Sequence, residues 1–273
     1  FSIALAHAMS TIGTCGFSTY DDSTMHFHNL PFELWTALFM FLAGGSFSLY
    51  YRAYIKGPAV ILRNAEFRTY LGIVFTALLL ISMGMDGDMA ARVAVFQVTS
   101  LSTTGFVSAD FETWPTFSKM VLLLLMVIGG CAGSTASGIK VARLILLVRN
   151  ARAVVLQKLN PNRVVDITLT GAHVDAAMLL RVGTFFFLYL AVIFVTAFLL
   201  AMDGLLPFDA VAVAITTIGN IGPAFGIVSA TSTYAPLSDF SKAILCLTML
   251  LGRLEIFTLL ILLQPSFWRR TYR

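Results

Sequence analysis

Apolar runs separated by short polar stretches dominate the chain. Uncharged segments at 34–51, 69–85, 120–139 and 182–202 approach or reach the roughly 20 residues that a helix needs to cross the hydrocarbon core of a bilayer. A further apolar helix is expected over 243–263, interrupted by Arg253 and Glu255. Composition agrees with this pattern: 58% of residues are hydrophobic and 12% charged, against about 25% charged in a water-soluble domain. The sequence therefore reads as an all-α integral membrane protein, which excludes soluble enzymes and nucleic-acid-binding modules.

Charge gives the segments a sidedness. Fourteen of the eighteen Lys and Arg fall into three blocks. They are Arg52, Lys56, Arg63 and Arg68; Lys140, Arg143, Arg149, Arg152, Lys158, Arg163 and Arg181; and Arg269, Arg270 and Arg273. The positive-inside rule assigns these blocks to the cytoplasm. Ten of the fourteen acidic residues gather elsewhere, at Asp21, Asp22, Glu33, Asp86, Asp88, Asp110, Glu112, Asp203, Asp209 and Asp239, and mark the outer face. The apolar segments 93–109 and 210–238 then have acidic residues on both flanks, so each enters and leaves on one side. Both are expected to be re-entrant loops lining a path, since non-helical backbone at membrane depth is tolerated where it is buried in protein or faces a watery cavity.

An internal repeat supports that reading. STIGTCGF at 10–17, TSLSTTGF at 99–106 and TTIGNIGP at 216–223 share an order of hydroxyl, aliphatic and small residues that ends in Gly16, Gly105 and Gly222. Each follows a short apolar run and precedes a spanning helix, and a recurring unit of this size takes precedence over any local motif. Three units follow: 1–66, lacking its first helix; 67–175, complete and with a broken inner helix; and 176–273, the last. Packing of small residues between helices accounts for single positions, but not for loops that return to their own side.

A short helix pointing inward presents unsatisfied carbonyls worth about half a negative charge. The residues after it, Thr14, Cys15 and Gly16, Thr103, Thr104 and Gly105, and Asn220, Ile221 and Gly222, suit an extended turn in which glycine permits positive φ. Backbone carbonyls exposed in this way replace an ion's hydration shell, and acidic outer loops concentrate cations by focusing. Below the second loop, GGCAGSTASGIK at 129–140 places Gly129, Gly130, Gly133 and Gly138 in mid-span, at a cost to the helix of about 1 kcal/mol each. An unwound segment is expected there, with Ser134, Thr135 and Lys140 in it. Arg253 in MLLGRLEIF lies within the bilayer, where a charge is by default functional. It is expected to act with the 129–140 segment as a gate.

Other chemistry is weakly signalled. Cys15, Cys131 and Cys246 are far apart, which indicates neither disulfides nor a metal cage. His26 and His28 form an HxH without a third ligand, and His7 and His173 stand alone and are read as structural. No spacing specifies a nucleophile with its base, so no enzyme is expected; an intramembrane enzyme using Cys15 or His7 is the rival from another class.

Together the three glycine loops, the GGCAGSTASGIK segment and the arginine of LLGRLEIF resemble the Trk/Ktr/HKT superfamily of potassium transporters, most closely its bacterial TrkH branch, over essentially the whole chain. The resemblance implies four helix, pore-loop, helix repeats around one pseudo-fourfold pore, with three of the four visible in this chain and the first expected on the N-terminal side. It implies that Gly16, Gly105 and Gly222 with the residues before them bind K+ as filter quarters, that 131–139 is the intramembrane gating loop, and that Arg253 projects toward it. It further implies a multi-pass protein of the bacterial inner membrane, surrounded by lipid, that forms a homodimer and binds a cytosolic nucleotide-binding regulatory subunit of the TrkA type, with K+ as the ion and no organic cofactor. Two departures stand out: Ala136 and Ser137 dilute the glycines of the gating segment, and Asn220 and Pro223 replace the Thr and Phe of the other copies, which predicts that the last loop differs. The expected activity is inward, channel-like movement of K+, with Rb+ and Na+ as further candidates; an ion-coupled secondary transporter moving K+ with H+ or Na+ is the alternative.

Overall fold

The computed structural model describes residues 1–85, 90–162, 165–230 and 232–268. Asp86, Asp88, Arg163, Arg269, Arg270 and Arg273, which contribute to the sidedness pattern, lie outside the described residues. The described chain is mostly helical. In order, the helices are α1 (Ser2–Ile12), α2 (Leu30–Gly44), α3 (Phe47–Lys56), α4 (Ala59–Arg63), α5 (Ala65–Met83), α6 (Ala90–Thr103), α7 (Thr116–Val127) and α8 (Val141–Leu159). A small antiparallel hairpin of β1 (Thr168–Leu169) and β2 (Ala172–His173) follows. The chain continues with α9 (Ala176–Met202), α10 (Pro207–Ile218), α11 (Asp239–Arg253), α12 (Ile256–Leu263) and α13 (Pro265–Trp268).

Local chemistry fixes several helix starts. The side chains of Asn29, Asn64, Asp175 and Ser238 accept from the amides of Phe32, Phe67, Met178 and Ser241 at 2.9–3.2 Å, each satisfying one of the orphan donors at a helix N-terminus. Pro207 opens α10, where its missing N–H costs nothing.

Helices α5 and α9 are long and apolar enough to cross a membrane by themselves. Their outer faces carry exposed Phe75, Phe187, Phe194 and Phe198, as expected of surfaces that meet lipid. By contrast, α10 is buried on every side from Ala212 to Ile218, and α6 buries Phe96, Val98 and Leu101. A helix that is apolar all round belongs in the interior. Around these two short helices the main core forms, with Ile81, Leu122, Met126, Leu200, Phe111 and Phe225; α6 packs on α2, α5 and α7, and α10 on α9, α11 and α7.

Two expected continuous segments are bent. The uncharged run 34–51 divides into α2 and α3, which meet at 92°. Gly44 and Gly45 stand at the bend, where a Cβ on Gly44 would fall 2.4 Å from the Tyr70 hydroxyl and one on Gly45 1.9 Å from that of Tyr50. Hydrophobicity does not register this close approach. The 243–263 segment likewise divides into α11 and α12 at 111°, with Glu255 at φ +60 in the bend. In the 120–139 run, α7 stops at Val127 and helix resumes only at Val141.

Candidate ion-path site

Helices α1, α6 and α10 each end just before a glycine loop, and the three loops are arranged head to tail. A Cβ on Gly16 would lie 2.5 Å from the carbonyl oxygen of Thr104, and one on Gly105 1.7 Å from that of Ile221. Only hydrogen fits at either position. Gly16, Gly105 and Gly222 have φ of +69, +100 and +109, so the backbone also selects glycine there. A Cβ on Gly222 would meet nothing within 4 Å.

The first and third loops leave their helices identically. Thr14 and Asn220 adopt φ of +50 and +52. The amide of Cys15 donates to Ser10 O and that of Ile221 to Thr216 O, both at 3.0 Å, while Thr14 N donates to Thr11 O and Asn220 N to Thr217 O. This is a Schellman termination, in which one left-handed residue satisfies two helix carbonyls. The second loop has Ser102 where the others have Gly13 and Gly219, and α6 continues to Thr103 before Thr104 and Gly105 both donate to Ser100 O. The departure in the helix termination thus falls on the second copy, whereas the substitutions at Asn220 and Pro223 point to the last. Asn220 keeps the left-handed turn of Thr14, because asparagine tolerates that region.

Thr14, Cys15, Gly16, Gly105, Asn220, Ile221 and Gly222 line one cavity of about 340 Å³, which Arg253 also borders. Thr103 and Thr104 do not line it. Their side chains are buried and their hydroxyls lie 3.2 Å apart; the Thr104 carbonyl lies against Gly16. Cys15 is exposed and its thiol lies 3.4 Å from Gly13 O.

The loops are held from behind by residues that the repeat pattern does not mark. The buried Thr24 donates its hydroxyl to Val107 O at 2.7 Å, and Ser23 accepts from Val107 N; the first outer loop thereby grips the second glycine loop. The Tyr234 hydroxyl donates to Gly222 O at 2.5 Å. His7 donates to or accepts from Ser18 Oγ at 3.0 Å and stacks on Phe106, a structural role as its isolation in sequence suggests. Glu33 makes a two-pronged ion pair with Arg92 at 2.7 and 2.8 Å, joining α2 to the start of α6. His26 stacks on Tyr20.

Between α7 and α8 the backbone is unwound and tightly tied. Gly129 N donates to Ile139 O, Ile139 N to Val127 O, and Val141 N to Gly130 O, forming an isolated parallel bridge between Ile128 and Ile139. Gly133 and Gly138 sit at φ +77 and +79. Cys131 N donates to Gly44 O and Phe47 N to Gly133 O, which ties the segment into the bend between α2 and α3. Ser134 Oγ donates to Cys131 O at 2.7 Å and Lys140 Nζ to Ala136 O at 2.5 Å.

Thr135 at the tip reaches the end of α1. Its hydroxyl donates to Ile12 O at 2.9 Å, and its carbonyl accepts from Thr14 Oγ1 at 3.0 Å and from Arg253 at 2.9 Å. A second Arg253 nitrogen donates to Gly13 O at 3.2 Å. One guanidinium therefore joins the tip of the unwound segment to the turn leading into the first glycine loop. Glu255 pairs instead with Arg143 at 2.8 Å. Ser134, Thr135, Gly138, Lys140 and Arg253 line a second cavity of about 270 Å³, while Gly129, Gly130 and Gly133 stand outside its lining.

Similarity to known proteins agrees with this architecture. The family described as "TrkH: Cation transport protein" matches residues 2–270. The chain belongs to the TrkH family. It is thus a multi-pass protein of the inner membrane, in a family of transporters rather than enzymes. It is 34% identical over 276 residues to the Trk system potassium uptake protein TrkH of Escherichia coli K12, covering 97% of this chain and 56% of that protein. It is 37% identical over 281 residues to the TrkH of Vibrio parahaemolyticus, covering 97% and 57%. The crystal structure of the potassium transporter TrkH from Vibrio parahaemolyticus superposes with a TM-score of 0.89 at 33% identity, over 98% of this chain and 59% of that one. The chain spans a little over half the length of these TrkH relatives.

Proposed function

We propose that this chain supplies much of the ion path of a potassium-translocating subunit, with K+ passing the backbone carbonyls of the three glycine loops. The observation that carries the reading is the head-to-tail contact of Gly16 with the Thr104 carbonyl and of Gly105 with that of Ile221 around one cavity. In this reading, loops packed that closely turn backbone carbonyls toward the cavity, where they replace an ion's hydration shell. Thr14, Cys15, Gly16, Gly105, Asn220, Ile221 and Gly222, which line the cavity, are then K+-binding filter residues, and Thr103 and Thr104, expected beside them from the sequence, back the second loop without lining it. Each of the units 1–66, 67–175 and 176–273 contributes one loop. The names of the relatives, Trk system potassium uptake proteins, support the choice of ion. Homodimerisation and a TrkA-like regulatory subunit on the basic inner face complete the proposal.

The gate in this reading is the 129–140 segment together with Arg253, supported by the bonds of Arg253 to Thr135 and Gly13. A cation beside a cation path is a barrier, and Arg253→Gln removes it while releasing the tip. Basal rubidium uptake into proteoliposomes is expected to rise in this variant; unchanged basal flux would remove Arg253 from the gate.

Three breaks within apolar segments, at Gly45, at 128–140 and at Leu254, favour a second reading, since broken helices also bind substrate and ion in coupled transporters. Planar-bilayer recording with K+ and Na+ gradients separates the two. Unitary currents that reverse near the K+ potential are expected. Transport that needs a proton or Na+ gradient, without unitary currents, would favour the coupled mechanism.

A further inference from the structure

The cavity of about 270 Å³ behind Thr135 carries a surplus of positive charge. Lys140, Arg143 and Arg253 line it against one lining carboxylate, Glu255, which Arg143 pairs. The next carboxylate, Glu66, accepts from the amide of Ala132. The bonds of Lys140 to Ala136 O and of Arg253 to two carbonyls leave donors over, because an ammonium has three and a guanidinium five. Those carbonyls are neutral, so three cations face Glu255 in the lining and Glu66 beyond it, which leaves a surplus of one positive charge.

A second observation is independent of charge. Among the described residues, the hydroxyls of Ser137 and Tyr189 are buried without a hydrogen-bond partner, and both residues line this cavity. Tyr189 is 1% exposed. A buried polar group normally has its partner, and two orphan donors beside three cations are suited to an acceptor-rich anion. Helix α12 also begins in this wall, at Ile256, without a side-chain cap, and a helix start favours negative charge.

We propose that this cavity is an oxyanion site that takes a phosphate group, with Tyr189 and Ser137 donating hydroxyl hydrogen bonds and Lys140, Arg143 and Arg253 supplying charge. Guanidinium forks match phosphate oxygens in pairs. The phosphate is either inorganic phosphate or the phosphodiester of an anionic lipid headgroup; both present the same oxygens. The site goes beyond the gate reading, and its occupancy is measured without ion flux.

The test is thermal unfolding of the purified protein in uncharged detergent, titrated with inorganic phosphate at ionic strength held constant with chloride. A parallel arm compares nanodiscs of phosphatidylcholine with and without phosphatidylglycerol. A saturable rise in Tm is expected in at least one arm. Phosphate alone being effective assigns the soluble ion and phosphatidylglycerol alone the headgroup, and either outcome supports the site. Tyr189→Phe keeps the shape and deletes an unpaired hydroxyl, so the ligand-free Tm is expected to hold or rise while apparent affinity falls roughly tenfold. Ser137→Ala is expected to act in the same direction. The proposal is overturned if neither probe gives a saturable response, or if both variants respond as the wild type does.

Discussion

At the scale of single residues, two requirements coincide at Gly105. Its φ is +100 and a Cβ would sit 1.7 Å from Ile221 O, so any side chain must both strain its own backbone and push apart two loops. Gly171 in the hairpin has φ +85 with nothing within 4 Å, and pays only the first cost, about 1–2 kcal/mol. Gly105→Ala is therefore expected to abolish the proposed potassium uptake, while Gly171→Ala retains it with a modest loss of Tm; rubidium flux and thermal unfolding of the two purified variants check this. The positive φ at Gly105 was readable from its place in a threefold repeat. The carbonyl of Ile221 beside it was not, because 116 residues separate the two positions in sequence and only the assembled core brings them together.

At the scale of elements, sequence signals fared unevenly. The helix starts at Asn29, Asn64, Asp175 and Ser238 carry recognisable capping residues, and each cap is made. Asn64→Ala is expected to cost about 1 kcal/mol, seen as a lower Tm without a change in ion selectivity, because α5 lies outside the cavity lined by the glycine loops. Breaks inside apolar runs were harder. Glycine density pointed to the unwound segment 128–140, but at the right-angled bend after α2 Tyr50 and Tyr70 fill the space that glycines 44 and 45 leave. A hydropathy pattern counts apolar residues and has no term for such a contact. The helix termination of the second loop also turned on one residue, Ser102, in place of the glycines at 13 and 219.

At the scale of the whole molecule, the three glycine loops are coupled through the segments that follow them as well as through the core. Thr24 of the first loop holds Val107 of the second, and Glu112 accepts from Gly226 N of the third at 3.2 Å. Thr24→Val removes one buried hydrogen bond, worth about 1 kcal/mol, and leaves the amide of Thr24 on the same carbonyl. The fold is expected to survive and the reversal potential in a K+/Na+ gradient to move toward that of Na+. An unchanged reversal potential would show that this grip does not set the loop's geometry. The sequence by itself determined the membrane class and the residues at which an extended turn is possible, since hydropathy and glycine act locally. Tertiary structure alone decided that the Arg253 guanidinium bridges Thr135 and Gly13, that Thr103 and Thr104 bury their side chains outside the cavity lining, and that the Tyr189 hydroxyl has no partner among the described residues, in a cavity that Lys140, Arg143 and Arg253 also line. Those are relations between residues far apart along the chain, and packing, rather than any local preference, fixes them.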